Sequence, residues 1–321
     1  MDEIVIPSFI QIETVAGLCN YRCIMCPITE SRVTGVMSNE VWTKILNRLL
    51  PHVKHIDYLS LCGLGEPMLD KKVHEKVRIA KDLGFRGTGI FTNGELVPET
   101  MSEKLMDARL DTLIVSIDGV KKETQSTIRL RSNLDKIVDC MDRFIFVRDR
   151  RKRQGKSTTR LMIKFVRQSL NESEEQEYYE FWSRKLKSEY NDKVAFYNVN
   201  NVGGRAYFPE KLSDEILAES KNFRCDEVYR RAFIAEDGRL NFCAGDQDGS
   251  HNMGNIFTHD LVEAYNSEMH RRYRATMDRG EILSLELCKN CSIARTISTK
   301  VIKDPMPNPG ESSGLVQIQL R

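Results

Sequence analysis

Between Ser8 and Val199 the chain shows six extended patterns separated by five helical ones, and few folds can satisfy that order. Ser8 to Val15 alternates apolar and polar residues, as a half-buried strand does. Ser38 is placed to cap a helix running through about Leu50, with Glu40 in its first turn and Pro51 as its stop. Extended patterns return at His55–Cys62, Phe85–Thr92, Thr112–Ile117, Arg160–Val166 and Val194–Val199. Helical ones lie between them, at Asp70–Leu83, Pro98–Ala108, Asn133–Arg151 and Glu172–Ser188. Parallel strands wrapped by helices fit this rhythm, so the expected class is α/β: a partial (β/α)6 barrel of the TIM type, over residues 8–200.

After Asn200 the rhythm stops. Asn201-Val202-Gly203-Gly204-Arg205 reads as a junction. Ala232–Ala235 and Arg239–Phe242 flank Glu236-Asp237-Gly238 as a hairpin would. Asp260–Met277 reads as one helix, and a Cys288-Lys-Asn-Cys291 turn follows. These features define a small second domain, 201–300, and a loose tail, 301–321, rich in Pro and Gly.

A net charge of +2 in 321 residues gives no footprint for nucleic acid or an acidic membrane. The basic run from Arg148 to Arg160 is expected to be a solvated loop. No apolar run approaches the roughly 18 residues a membrane span needs. The start of the chain lacks the basic and apolar regions of an export signal, so the expected location is the cytoplasm. In that reducing setting the nine cysteines are expected to be metal ligands and core thiols rather than disulfides.

Cys19, Cys23 and Cys26 sit on one loop at intervals of four and three residues. Such a triplet can grip three corners of a cubic iron–sulfur cluster and leave its fourth iron open for chemistry. A structural zinc knuckle is the alternative, but no fourth Cys or His lies nearby to close one. The other informative residues fall at strand ends, where barrels of this kind bind ligands. They are Gly65-Glu66-Pro67, Thr92-Asn93-Gly94 and Ser116-Ile117-Asp118-Gly119.

With these motifs in this order, the chain resembles the radical S-adenosylmethionine (SAM) superfamily, from about Ile10 to Ile293. The resemblance implies a [4Fe–4S] cluster on Cys19, Cys23 and Cys26, with SAM chelating the open iron. It implies that Gly65, Glu66 and Pro67 receive the SAM amino group. Ser116, Asp118 and Arg129 resemble the branch with a cysteine-rich C-terminal extension, in which a serine and an arginine at these places contact the SAM carboxylate and ribose. Arg129 is preferred over Arg131 because it follows Ile128 in that pattern. Thr92 and Asn93 are expected near SAM, although Asn93-Gly94 also suits a plain turn. Many members place an aromatic residue before the third cysteine, against adenine; Met25 stands there in this chain and can pack similarly.

Cys225, Cys243, Cys288 and Cys291 are similar to the twitch form of that extension, which holds one auxiliary [4Fe–4S] cluster by four thiolates. A zinc site of four cysteines is the alternative from spacing alone. The spacing resembles the twitch dehydrogenases of aminoglycoside and aminocyclitol biosynthesis, of the 2-deoxy-scyllo-inosamine dehydrogenase type. That likeness implies oxidation of a carbinol on a sugar-like small molecule, with the auxiliary cluster as electron acceptor and a flavodoxin- or ferredoxin-type protein as donor. Arg205 then lies where such enzymes present an arginine to the substrate; a junction arginine bonding carbonyls is the plainer reading. A carbohydrate epimerase would need a thiol donor, for which Cys62 is placed better than Cys140. A modifier of ribosomal peptides is less expected, since the short stretch before Cys19 has no room for a peptide-recognition domain. A non-catalytic iron–sulfur or zinc protein is the remaining alternative.

Overall fold

The computed structural model describes residues 4–28, 31, 33–201, 225–246 and 248–291. Six strands form where the alternation places them: β1 (Phe9–Ile12), β2 (Tyr58–Leu61), β3 (Gly87–Thr92), β4 (Thr112–Ser116), β5 (Arg160–Arg167) and β6 (Lys193–Asn198). They are all parallel and lie in sequence order, β6-β5-β4-β3-β2-β1, as a partial (β/α)6 barrel requires. Between them run helices α1 (Asn39–Leu49), α2 (Val73–Asp82), α3 (Glu99–Asp107), α4 (Lys122–Ile128), α5 (Leu134–Arg153) and α6 (Glu175–Ser183).

Parity along each strand separates two faces. Ile10 and Ile12, Leu59 and Leu61, Leu161 and Ile163 point outward and join the helices in one continuous core. Trp42 of α1, Val77 of α2, Phe144 of α5 and Trp182 of α6 close that core from outside and are fully buried. The opposite parity faces the barrel interior. Phe9 and Tyr58 stack there with ring centroids 5.2 Å apart. Gly89 keeps that space open, because a Cβ on it would come 1.8 Å from the Tyr58 hydroxyl.

The sheet does not end at β1. Strand β7 (Arg231–Ile234) pairs parallel with β1, and β8 (Arg239–Asn241) and β9 (Asn252–Asn255) continue antiparallel. The expected hairpin is therefore β7–β8, and it extends the barrel sheet directly into the cysteine-rich segment.

Several boundaries differ from the sequence expectation, each for a local reason. Ser38 caps α1 through the Val41 N–H as expected, but α2 starts only at Val73. Asp70 instead accepts the Lys72 N–H and meets Lys76 Nζ at 2.6 Å. The short α4 carries too few apolar residues to show a helical period. Asp260–Met277 is two helices, α7 (Leu261–Tyr265) and α8 (Glu268–Asp278), each with its own side-chain cap, from Asp260 and Ser267. Between them Asn266 turns away to bond both backbone groups of Val5. The basic run is not a solvated loop throughout: α5 carries it to Arg153, and Arg148 is fully buried, 2.6 Å from Asp192. Among the described residues no helix is long and apolar enough to cross a membrane.

Candidate active site

The cysteine loop has almost no regular structure of its own and is stitched to the strand-end motifs. Gly17 N–H donates to Leu64 O at 2.7 Å, and Glu66 N–H donates to Leu18 O at 2.8 Å. A Cβ at Gly65 would sit 2.1 Å from Val15 O, so only glycine admits this approach of two backbones. Asn93 Nδ2 donates to Asn20 Oδ1 at 2.7 Å, and the Tyr21 hydroxyl donates to Glu95 Oε2 at 2.5 Å. The two-residue strands Arg22–Cys23 and Arg129–Leu130 pair antiparallel, setting Cys23 opposite Arg129.

The three thiols are half-buried, free of disulfides, and close enough to perturb one another. Burial is the main cause pushing all three up, Cys26 to about 12. Bound iron would reverse this by taking the thiolate form. Arg129 Nη1 donates to Cys23 Sγ at 3.6 Å and provides a fixed positive charge beside it.

Glu66 is buried behind this loop. Its Oε1 accepts the Thr92 hydroxyl at 2.7 Å and the Met68 N–H at 3.0 Å, while Oε2 accepts the Asn93 N–H at 2.8 Å. A carboxylate accepts about four hydrogen bonds, which leaves room for an ammonium donor. Burial pushes its pKa up, and these donors oppose that. Thr92 and Asn93 thus hold Glu66, and Asn93 also makes the expected turn, with Gly94 at φ +83°. Pro67 is buried and opens a single turn of tighter helix, Pro67–Leu69, capped by the Glu66 side chain.

Asp118 is fully buried with Oδ1 accepting the Val166 N–H at 2.7 Å and Oδ2 2.8 Å from Arg129 Nη2. Burial pushes its carboxyl up, and Arg129 is the largest influence pulling it back. Ser116 ends β4 half-buried and in register with Lys164. Met25 is half-buried on the loop between Cys23 and Cys26. Cys62 follows β2 on the inner face, where burial pushes its thiol up to about 11. Cys140 instead lies on α5 with its Sγ 3.6 Å from Glu95 O, in the helix-facing core. Arg205 falls outside the described residues.

At the other end of the sheet, Cys225, Cys243, Cys288 and Cys291 form a second set. Cys225 feels Cys288 and Cys291, and Cys243 feels Cys225 and Cys291. Burial drives Cys225 and Cys243 far up and Cys288 to about 12. Yet among the described residues no three His, Cys, Asp or Glu side chains converge on a single-ion site.

Two inner-face residues escape motif reading. Glu13, just after β1, accepts the Leu64 N–H at 2.6 Å, and burial lifts its carboxyl to about 7. Lys164 of β5 points toward Phe91 and Tyr197. Strand parity was the available signal for both, since a charged residue at an inward position of a barrel strand needs a reason to be there.

The comparisons with known proteins agree with this geometry. Residues 14–145 match the model of the radical SAM superfamily, and residues 225–292 match that of the SPASM iron–sulfur cluster-binding domain. The chain thus carries a radical SAM domain followed by a SPASM-type domain, as a radical SAM enzyme does, and its cofactors are SAM and [4Fe–4S] clusters.

An AdoMet-dependent heme synthase of Methanosarcina barkeri is 34% identical over 125 residues, which cover 38% of this chain and 34% of that protein. A probable GTP 3′,8-cyclase of Saccharolobus islandicus is 25% identical over 246 residues, 72% of this chain and 76% of that protein. Among solved structures, BtrN in complex with AdoMet and 2-DOIA superposes with a TM-score of 0.61 at 19% identity, covering 91% of this chain and 94% of that one. SuiB of Streptococcus suis, bound to its precursor peptide SuiA, gives 0.65 at 16% identity, over 87% and 70%. At these identities the two structures share the fold.

Proposed function

We propose that this enzyme oxidises a carbinol of a sugar- or aminocyclitol-type small molecule to a ketone. The observation that carries the reading is the second thiol set, Cys225, Cys243, Cys288 and Cys291, which supplies four protein ligands and so leaves no iron open for substrate. When bound, the cofactors supply a 5′-deoxyadenosyl radical that removes a substrate hydrogen atom and an auxiliary cluster able to accept one electron. The fold match to BtrN, over 94% of its length and in complex with AdoMet and 2-DOIA, supports a small-molecule substrate.

In this reading Glu66 takes the SAM amino group, with Gly65 and Pro67 shaping the turn and Thr92 and Asn93 fixing the carboxylate. Arg129 and Ser116 face the SAM carboxylate and ribose, Asp118 holds Arg129 in place, and Met25 packs on adenine. Arg205 orients a substrate hydroxyl. A flavodoxin- or ferredoxin-type protein is the proposed electron donor.

Epimerisation is a second reading, favoured by the Cys62 thiol, which burial keeps protonated on the inner face. Mass spectrometry of the product separates the two. A ketone lighter than substrate by two hydrogens supports oxidation; an isomer that keeps the substrate's mass in H2O and becomes one unit heavier in D2O would refute it in favour of Cys62. Replacing Cys288 and Cys291 by alanine should lower iron from about eight to about four per chain. Ketone should disappear while 5′-deoxyadenosine still forms, and ketone formation that survives would remove the acceptor role.

A further inference from the structure

Lys164 lies on the inner face of the barrel at the level of the SAM motifs. Its register partners are Ser116 on β4 and Ala195 on β6. Its ammonium stands 4.7 Å from the centre of the Tyr197 ring and 5.9 Å from that of Phe91, and makes no hydrogen bond or ion pair among the described residues. An ammonium is costly to remove from water without a carboxylate partner, and ring faces offset only part of that cost. The charged and titratable groups around it are Cys62 after β2, Asp118 after β4, Arg129 opposite the cysteine loop, and Arg231 of β7. None of these is a partner in kind: Asp118 is committed to Arg129, Arg231 to Glu227 at 2.8 Å, and Cys62 is a thiol.

We propose that Lys164, as the neutral amine, takes the hydroxyl proton of the substrate carbinol. The proposal rests on the oxidation put forward above. The C–H hydrogen leaves as an atom to the 5′-deoxyadenosyl radical. The O–H bond then breaks and its proton goes to the lysine nitrogen. The unpaired electron on carbon passes to a one-electron acceptor of the iron–sulfur class, and the carbon–oxygen bond becomes a carbonyl. Arginine remains protonated in proteins, so Arg129 and Arg231 can orient an oxygen but cannot accept its proton. Burial, the largest influence on Lys164, pulls its pKa down and favours the amine form.

The first test needs no substrate. Cluster-loaded protein is reductively methylated with formaldehyde and cyanoborohydride near neutral pH, and each lysine is followed by peptide mass spectrometry. Lys164 should be methylated about ten-fold faster than the exposed Lys71, and SAM should slow Lys164 alone. A rate no greater than that of Lys71, or no protection by SAM, overturns the proposal. The second test uses Lys164→Arg and Lys164→Met with 2-deoxy-scyllo-inosamine. Both variants should lose at least about 100-fold in kcat for ketone, and ketone formation retained by Lys164→Arg overturns the proton-accepting role. If the wild type instead cleaves SAM yet forms no ketone, the oxidation reading fails, and the methylation result still decides whether Lys164 is an open, neutral amine.

Discussion

The ion pair that holds Arg129 can be broken on one side only. Asp118 is 0% exposed and Arg129 8% exposed, with 2.8 Å between their charged atoms. Asp118→Asn keeps an oxygen for the Val166 N–H, 2.7 Å away, but presents an uncharged amide to the guanidinium. The arginine charge is then buried without the carboxylate that faced it, and removing one partner of a buried pair costs about 3–5 kcal/mol. Urea unfolding of the reduced, cluster-free protein, followed by circular dichroism, measures this loss. Asp118→Leu with Arg129→Met removes both charges and should recover at least half of it, because the cost lies in the unpaired charge and not in the missing bond. A loss under about 1 kcal/mol in Asp118→Asn, or a double variant as unstable as the sum of its parts, would refute the reasoning.

Two further predictions concern the same end of the barrel. Gly65→Ala forces a Cβ onto Val15 O, a backbone atom that cannot swing away, whereas a Cβ on Gly35 meets only Glu236 Oε1 at 3.6 Å. Gly65→Ala should abolish 5′-deoxyadenosine formation and Gly35→Ala should retain it; equal behaviour in the SAM cleavage assay would contradict the close approach. Glu13 sits near 7 when folded against an ordinary value of 4.5, so the folded state keeps a proton that the unfolded chain has lost. Stability should therefore fall by about 3 kcal/mol as pH rises from about 5 to about 8. Glu13→Gln should remove that slope in urea titrations, and an unchanged slope would count against a protonated Glu13.

The barrel was legible because its signal is periodic: inward and outward parity, helix stops such as Pro51, and strand ends are all written locally. The candidate site was legible as a grouping where residues repeat a motif: the loop of Cys19, Cys23 and Cys26 is tied to the turn at Glu66, as strand ends on one rim should be. What stayed hidden was set by partners distant in sequence. Nothing around Asn266 indicates that Val5 will claim its amide and split a helix, and nothing around Arg148 indicates Asp192 as its buried counter-charge. Lys164 was visible as a letter in an apolar strand, but only the register against Ser116 and the rings of Phe91 and Tyr197 give it a place.

The ties around the cysteine loop bear on how the site is assembled. A loop without regular structure does not hold three thiols at cluster spacing by itself, since its backbone entropy opposes any single arrangement. Here Leu64 and Glu66 hold its beginning, Asn93 and Glu95 its middle through Asn20 and Tyr21, and Arg129 its end at Cys23. Leu64, Glu66, Asn93 and Glu95 sit just beyond the ends of strands β2 and β3, and Arg129 directly follows α4. In the folded barrel these ties, rather than the loop's own backbone, set where the three thiols stand. With the SAM contacts proposed above, Glu66, Asn93 and Arg129 would have two duties, scaffold and contact, so a substitution at any of them should lower iron content per chain together with SAM binding rather than SAM binding alone.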